Sequence, residues 1–174
     1  MFVFILCSSF VQSAFFKTEN GNIRFSSKAD LEIINATSKK MTGLIDPAQK
    51  QFAIQIDIET FSGFNSELQR QHFYEKYMEV NTYPQASFEG KIIEDVNFTA
   101  SGNYLIRAKG ILNIHGVEQE RIIQVNLRIE KNKLSASSSF SVPLADHNIK
   151  VPQIIKDKLA SEIQVDVEAD FYSI

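Results

Sequence analysis

The chain has 174 residues, enough for one domain with a sizeable core, and its hydrophobic (44%) and charged (22%) fractions are those of a globular protein. A net charge of −3 and the lack of any lysine- or arginine-rich stripe argue against nucleic acid as a partner. Fourteen phenylalanines and no tryptophan favour an apolar interior over sugar-stacking surfaces.

The N-terminus has the pattern of a secretory signal peptide. Residues 1–11 are almost wholly apolar and are followed by small or polar residues suited to cleavage. The first charge is Lys17, so a basic leader segment would have to lie upstream of the apolar run. That run is too short to span a bilayer. We therefore expect residues 1–14 to be a signal peptide, residues 15–174 to be the mature domain, and the protein to be periplasmic or secreted.

The single cysteine, Cys7, lies within this leader. Leu6 stands directly before it, where a lipoprotein needs a small residue, so lipidation is the minor alternative. The mature domain would then contain no cysteine and no disulfide. Its stability would have to come from its core alone.

Alternating apolar and polar residues predict strands along most of the remaining chain, because successive side chains of a strand point to opposite faces. The first two strands are expected at residues 22–26 and 31–45, with an irregularity near Lys39 and Lys40. A third strand is expected at residues 51–60.

The period then changes in residues 65–80. Ser66, followed by Gln69 three residues later, fits a helix-capping box. Phe73 and Tyr77 continue at helical spacing. This stretch predicts a short or bent helix inserted between two strands.

Strand patterns return after the helix and continue to the C-terminus. The five later strands are expected at residues 86–93, 103–114, 120–130, 134–144 and 162–171. A polar connection with a helical turn precedes the last of them. The pattern therefore predicts an all-β fold, an eight-stranded antiparallel lipocalin-like barrel with a short helical insertion. A two-sheet sandwich is the main alternative.

Two sequence blocks resemble the YceI-like family. Residues 72–90 contain HF, YME and YPQASFEG in that order, and residues 110–117 read GILNIHGV. The later LADHNI at residues 144–149 is also similar to the small-protein branch of that family. Glu118 departs mildly from the pattern, since threonine is common there. The resemblance covers the chain from about residue 22 to its end.

This resemblance implies a barrel with a long apolar lumen, exported in many members, that binds polyisoprenoids, quinone-like lipids or other amphiphiles. The expected function is that of an exported protein that sequesters or carries such a lipid, with no catalysis and no cofactor. A homodimer, in which the protein associates with a second copy of itself, is considered as a further possibility. The family has no short contact motif, so the lipid-binding candidates are lumen-facing positions: Ile54, Ile56, Ile58, Phe88, Tyr104, Ile106, Leu112, Val125, Leu127, Phe140, Val165 and Val167.

The same alternation also fits a solid core. Ala108, Gly110, Ala136 and Ala169 are small inward residues that leave room for a guest. If larger neighbours fill that room, the chain would be a structural or interaction protein of the envelope. Absence of a cavity and of bound lipid would distinguish that alternative.

The three histidines, His72, His115 and His147, lack metal-ligand spacing, so no metal site is expected. His115 stands before Gly116 and is interpreted as a turn residue whose ring satisfies a backbone group. His72 is interpreted as a helix-packing residue, although its ring could approach that of His115. The remaining alternative is an enzyme acting on a lipid headgroup. It would use His115, or Asp146 with His147, at the barrel mouth.

Overall fold

Eight strands account for most of residues 15–174, the part of the chain that the computed structural model describes. They are β1 (Phe16–Lys28), β2 (Ile33–Asp46), β3 (Gln51–Asp57), β4 (Gln85–Ile92), β5 (Gly102–Ile114), β6 (Val117–Glu130), β7 (Lys133–Pro143) and β8 (Glu162–Ser173). Each strand pairs antiparallel with the next, and β8 pairs with β1, so the sheet closes into a barrel. The predicted barrel is confirmed and the sandwich alternative is wrong. The predicted leader and Cys7 lie outside the described residues.

The closing strand shows how alternation produces a dry inner face and a solvated outer face. In β8, Val165 lies opposite Phe140 of β7 and Phe25 of β1, so three apolar side chains meet inside the barrel. The next residue, Asp166, lies opposite Ser139 and accepts a hydrogen bond from its hydroxyl at 2.5 Å. Two neighbouring residues of the strand therefore have opposite roles: the first packs in the core and the second forms a hydrogen bond at the surface.

The two longest connections lie at the same end of the barrel. Because neighbouring strands are antiparallel, the connections that follow β1, β3, β5 and β7 share one end. They include residues 58–84, called here the insertion, and residues 144–161, called the β7–β8 connection. We call this the capped end. The opposite end, called the short-turn end, contains the turns at residues 47–50 and 131–132.

The insertion is helical only in part. It contains a 3₁₀ turn (Ile58–Thr60), helix α1 (Glu67–His72) and a π-helical turn (Phe73–Tyr77). Helix α1 is capped by Ser66, whose hydroxyl accepts a hydrogen bond from the Gln69 backbone N–H at 3.2 Å. The predicted short helix is confirmed, although its α-helical part is shorter than the predicted stretch. No helix within residues 15–174 combines the length and apolarity needed to cross a membrane.

The predicted bounds of several strands were wrong, among them β6, which begins at Val117 and not at residue 120. Strand β1 begins at Phe16, six residues before the expected start, because its N-terminal end pairs with Ser173 of β8. Strand β3 ends at Asp57, because the chain then turns into the insertion. Beyond the end of β3, Ser62 of the insertion lies beside β2 and forms an antiparallel bridge with Thr37. The insertion therefore completes the barrel between β2 and β3.

The irregularity predicted in β2 is a bulge. Ile23 of β1 lies opposite Ser38, and Gly21 lies opposite Met41, so β2 has one extra residue between these pairs. The extra residue belongs to the segment of Lys39 and Lys40, as the weakened alternation indicated. A bulge bends its strand and increases the local twist, which helps a sheet to curve into a barrel.

Candidate functional site

The inner faces of the strands enclose a cavity of about 400 Å³. Eleven of the twelve predicted lumen residues line it: Ile54, Ile56, Ile58, Phe88, Ile106, Leu112, Val125, Leu127, Phe140, Val165 and Val167. Apolar side chains from every strand complete the lining. The barrel is therefore hollow, as the small inward residues suggested, and the solid-core alternative does not describe it.

Two of the predicted lumen residues differ from expectation. Tyr104 does not line the cavity, because its half-buried ring lies beside Gly102 at the start of β5. A Cβ atom built on Gly102 would lie 3.2 Å from the Tyr104 ring. Ile58 does line the cavity, but from the 3₁₀ turn of the insertion instead of a strand.

An aromatic cluster at the capped end was less evident from the sequence pattern. Phe73 of the insertion stacks on Phe25 of β1, with ring centroids 5.1 Å apart. Phe64 lies 5.1 Å from Phe73, and Phe61 lies 5.4 Å from Phe25. All four rings line the cavity. Phe61 and Phe64 precede the helical pattern, so only their apolar character hinted at this position.

Polar contacts within the insertion hold its helical part against its own first turn. The Tyr74 hydroxyl lies 2.6 Å from the Phe61 carbonyl oxygen and 3.0 Å from that of Glu59. Tyr77 lines the cavity, and burial raises the pKa of its hydroxyl above the ordinary value. The hydroxyl is therefore neutral at physiological pH.

Besides Tyr77, three acidic or basic side chains line the cavity, and all three belong to the capped end. They are Glu32 from the β1–β2 turn, His72 from α1 and Lys158 from the β7–β8 connection. Glu32 is already engaged, because its Oε1 accepts hydrogen bonds from Gln69 at 2.8 Å and from Asn65 at 3.3 Å. The cavity therefore combines an apolar interior with a polar end, which matches the two parts of an amphiphile.

One part of the barrel wall is closed by side chains instead of backbone pairs. Strands β6 and β7 pair only between residues 126–130 and 133–137. Beyond this ladder, the Ser138 hydroxyl donates to the Gln124 carbonyl oxygen at 2.6 Å, and Arg121 donates to the carbonyl oxygen of Ser141 at 2.6 Å. Ser138, which interrupts the apolar pattern of its strand, therefore joins the two strands and also lines the cavity.

The histidines occupy three different environments. The ring of His115 contacts the carbonyl oxygen of His147 at 3.1 Å, so its interpretation as a turn residue that satisfies a backbone group is confirmed. His147 is fully buried, and its Nδ1 donates to the Val117 carbonyl oxygen at 3.0 Å. His115 and His147 do not line the cavity, whereas His72 does. Within residues 15–174, no group of three His, Cys, Asp or Glu side chains is arranged to hold a metal.

A closed antiparallel barrel around an apolar cavity, with a polar end formed by long connections, defines the class of hollow β-barrels that can enclose one small ligand. The sequence profile of the YceI-like domain matches residues 12–171. The chain therefore belongs to the YceI-like family. No curated protein matches it.

Three solved structures illustrate the fold. A polyisoprenoid binding domain from Saccharophagus degradans, implicated in plant cell wall breakdown, has a TM-score of 0.78 at 13% identity, covering 94% of this chain and all of that one (100%). BcnA of Burkholderia cenocepacia has a TM-score of 0.72 at 18% identity, covering 86% and 95%. The YceI protein of Campylobacter jejuni has a TM-score of 0.60 at 16% identity, covering 80% and 84%. At these identities the likeness shows the fold.

Proposed function

We propose that this protein binds an apolar or amphiphilic lipid, isoprenoid or quinone-like, and sequesters or carries it without altering it chemically. The observation that carries the proposal is the apolar cavity of about 400 Å³ inside the barrel. Ligand cavities typically measure about 300–1,000 Å³. Burial of apolar ligand surface contributes about 25 cal/mol per Å². Membership of the YceI-like family, and a structural neighbour described as a polyisoprenoid binding domain, support the same ligand class.

The distribution of polar groups supports one orientation of the ligand. The apolar tail would lie among the inward side chains toward the short-turn end, where Phe52 and Phe171 line the cavity. The headgroup would lie near Glu32, His72 and Lys158 at the capped end. This arrangement leaves the polar headgroup hydrated while the tail is desolvated. Binding rather than catalysis is favoured because the histidines proposed for headgroup chemistry, His115 and His147, do not line the cavity.

Lipid extraction tests this function most directly. Protein purified from several bacterial hosts is analysed by native mass spectrometry, and its organic extract is analysed for isoprenoids and quinones. We expect a stoichiometric lipid. A mass spectrum of unliganded protein from every host, together with no uptake of added farnesol or ubiquinone, would contradict the proposal.

A pair of neighbouring substitutions distinguishes the lumen from the outer surface. Val125→Arg places a cation in the apolar cavity, whereas Gln124→Arg places one on the exposed face of the same strand. An unpaired charge buried in an apolar site costs several kcal/mol. We expect Val125→Arg to abolish lipid recovery and Gln124→Arg to retain it. Circular dichroism spectra identify loss of lipid that results from unfolding.

We also propose that the protein is exported to the periplasm or secreted. The support is the sequence of residues 1–14, an apolar run followed by small residues. Expression of the full-length gene, followed by cell fractionation and N-terminal sequencing, should give mature protein that begins after Ser13 or Ala14. Retention of uncleaved protein in the cytoplasm would contradict export. The homodimer stays a prediction, which light scattering of the purified protein measures.

A further inference from the structure

Four large apolar side chains at the capped end are exposed to solvent. Leu31 and Ile33 flank Glu32, where β1 turns into β2. Leu68 belongs to helix α1, and Ile154 belongs to the β7–β8 connection. Each of the four is more than half exposed, so none of them contributes its full apolar surface to the core. We call these four residues the rim.

Hydrogen bonds join the three segments that carry the rim. The Leu31 backbone N–H donates to the Asp157 carbonyl oxygen at 2.7 Å, which joins the β1–β2 turn to the β7–β8 connection. The Glu32 carboxylate accepts from the side chain of Gln69 at 2.8 Å, which joins the same turn to α1. Single exposed apolar residues are normal on a protein surface. The rim differs from them because its members lie on segments that are bonded to one another.

The rim lies where the cavity lining reaches the surface. Each rim residue is a sequence neighbour of a residue that lines the cavity, namely Glu32, Gln69 or Ile155. Lys158 also lines the cavity, although its residue is exposed to solvent. The apolar interior of the barrel therefore continues to the exposed apolar side chains of the rim.

Positive charge accompanies the rim in the β7–β8 connection. Residues 150–158 contain one aspartate and three lysines, so they carry a net charge of +2 in a chain whose net charge is −3. The lysines are Lys150, Lys156 and Lys158. All three are exposed, and the lysine ion pairs of the described chain involve other lysines. Residues 28–33 and helix α1 together add one net negative charge, with histidine counted as neutral, so the three segments keep a net charge of +1.

We propose that the rim docks the protein on the surface of a lipid bilayer that contains anionic lipids. Exposed apolar side chains insert between lipid headgroups, and neighbouring lysines are attracted to anionic headgroups while their stems remain in the apolar boundary. The rest of the chain is acidic and is repelled by the same surface, which favours an orientation with the rim toward the bilayer. Separate side chains around an apolar cavity suit lipid, because lipid has no fixed shape that they must match.

Docking in this orientation places the cavity against the bilayer. A lipid would then pass between the membrane and the barrel without crossing water with its tail exposed. This transfer rests on the proposed function, whereas docking by the rim does not.

Co-sedimentation with vesicles tests docking without any ligand in the cavity. Purified protein is mixed with vesicles of equal parts phosphatidylethanolamine and phosphatidylglycerol, or with vesicles of phosphatidylcholine alone. We expect the wild type to bind the anionic vesicles and to bind phosphatidylcholine vesicles more weakly. Leu68→Ser should weaken binding to the anionic vesicles about tenfold, because less apolar surface then leaves water on docking. Lys156→Gln should weaken it about fivefold.

The barrel wall offers matched controls for these substitutions. Leu105 of β5 is 62% exposed and Leu68 is 60% exposed, so Leu105→Ser removes the same side chain at the same exposure away from the rim. Ile33→Ser and Ile122→Ser form a second pair, at 55% and 56% exposure. Lys91→Gln on β4 is the control for the lysine. The control variants should bind like the wild type.

The comparison within each pair isolates the rim. All variants share one N-terminus, so a difference between paired variants comes from the substituted side chain. Circular dichroism spectra check that each variant is folded, which the exposure of the substituted residues favours.

Three results would overturn docking by the rim. They are no binding of the wild type to anionic vesicles, equal binding of Leu68→Ser and Leu105→Ser, and binding that does not depend on phosphatidylglycerol. Self-association that Leu68→Ser abolishes, seen by light scattering together with no vesicle binding, would assign the rim to a second copy of the chain instead. Vesicle binding by a protein from which no lipid is recovered would support docking and contradict the proposed function.

Discussion

The two ends of the barrel are stabilised by different kinds of interaction. At the short-turn end, Leu134 is fully buried (0% exposed) opposite Phe171 and Ile129, and ordinary strand alternation provides the packing. At the capped end, the cover depends on particular polar contacts, such as those of His115, and on strained backbone. Apolar packing at the short-turn end is insensitive to pH. The capped end can respond to protonation because it buries His147, whose pKa is lowered by that burial.

The largest effect is expected from a substitution that disrupts the apolar packing of the short-turn end. Leu134→Ala should lower the free energy of unfolding by about 2–5 kcal/mol, because it removes a fully buried side chain and leaves a cavity. Ile154→Ala at the capped end removes a side chain that is 93% exposed and should change stability by less than about 0.5 kcal/mol. Urea denaturation of both variants measures the difference. Equal losses would show that the two ends do not differ in this way.

A second pair of substitutions replaces one glycine of the barrel wall and one glycine of the insertion, and compares the two stability costs. Gly90 and Gly110 face each other across β4 and β5, and a Cβ atom on Gly90 would lie 2.1 Å from the Lys109 carbonyl oxygen. Gly90→Ala must therefore displace backbone and should cost about 3 kcal/mol. Gly63 in the insertion has φ 94° but no atom within 4 Å of an added Cβ, so Gly63→Ala should cost only about 1–2 kcal/mol of backbone strain. Thermal denaturation of the two variants ranks these costs, and the reverse order would contradict the close approach of β4 and β5.

The same division explains what the sequence predicted. Strand alternation depends on local residue order, so the barrel and most of its cavity lining were predictable, including Val125 and Phe140. The cover of the cavity depends on contacts between distant segments. Nothing in the local pattern indicates that Glu79 meets His115, 36 residues later, although both lie in the blocks that resemble the YceI-like family. Tyr104 shows a further limit of prediction from alternation. The alternation predicts the face of the strand on which a residue lies, but not where the end of a long side chain lies.

The third prediction concerns pH and the buried ring of His147. Burial lowers the pKa of His147 below its ordinary value of 6.5. The unfolded chain therefore takes up a proton at a pH where the native protein resists it, so the free energy of unfolding should fall as pH drops below about 6.5. His147→Asn, whose amide can donate in place of Nδ1, should remove this part of the pH dependence. Urea denaturation between pH 5 and pH 8 tests it.

Global stability should therefore rise with pH through His147. A stability profile of His147→Asn that matches the wild type would show that protonation of His147 is not linked to unfolding.

The smallest expected effect concerns the cap of helix α1. Ser66→Ala removes the hydroxyl that accepts from the Gln69 backbone N–H and should destabilise the helix by about 1 kcal/mol. Because α1 has no buried residue, this loss should appear mainly as faster hydrogen exchange in residues 67–77. Ser66→Asp also provides an oxygen acceptor and should preserve slow exchange, which separates capping from other effects of the substitution. A comparable fall in global unfolding free energy for Ser66→Ala would show instead that the insertion unfolds together with the barrel, since its bridge between Thr37 and Ser62 would then couple the two regions.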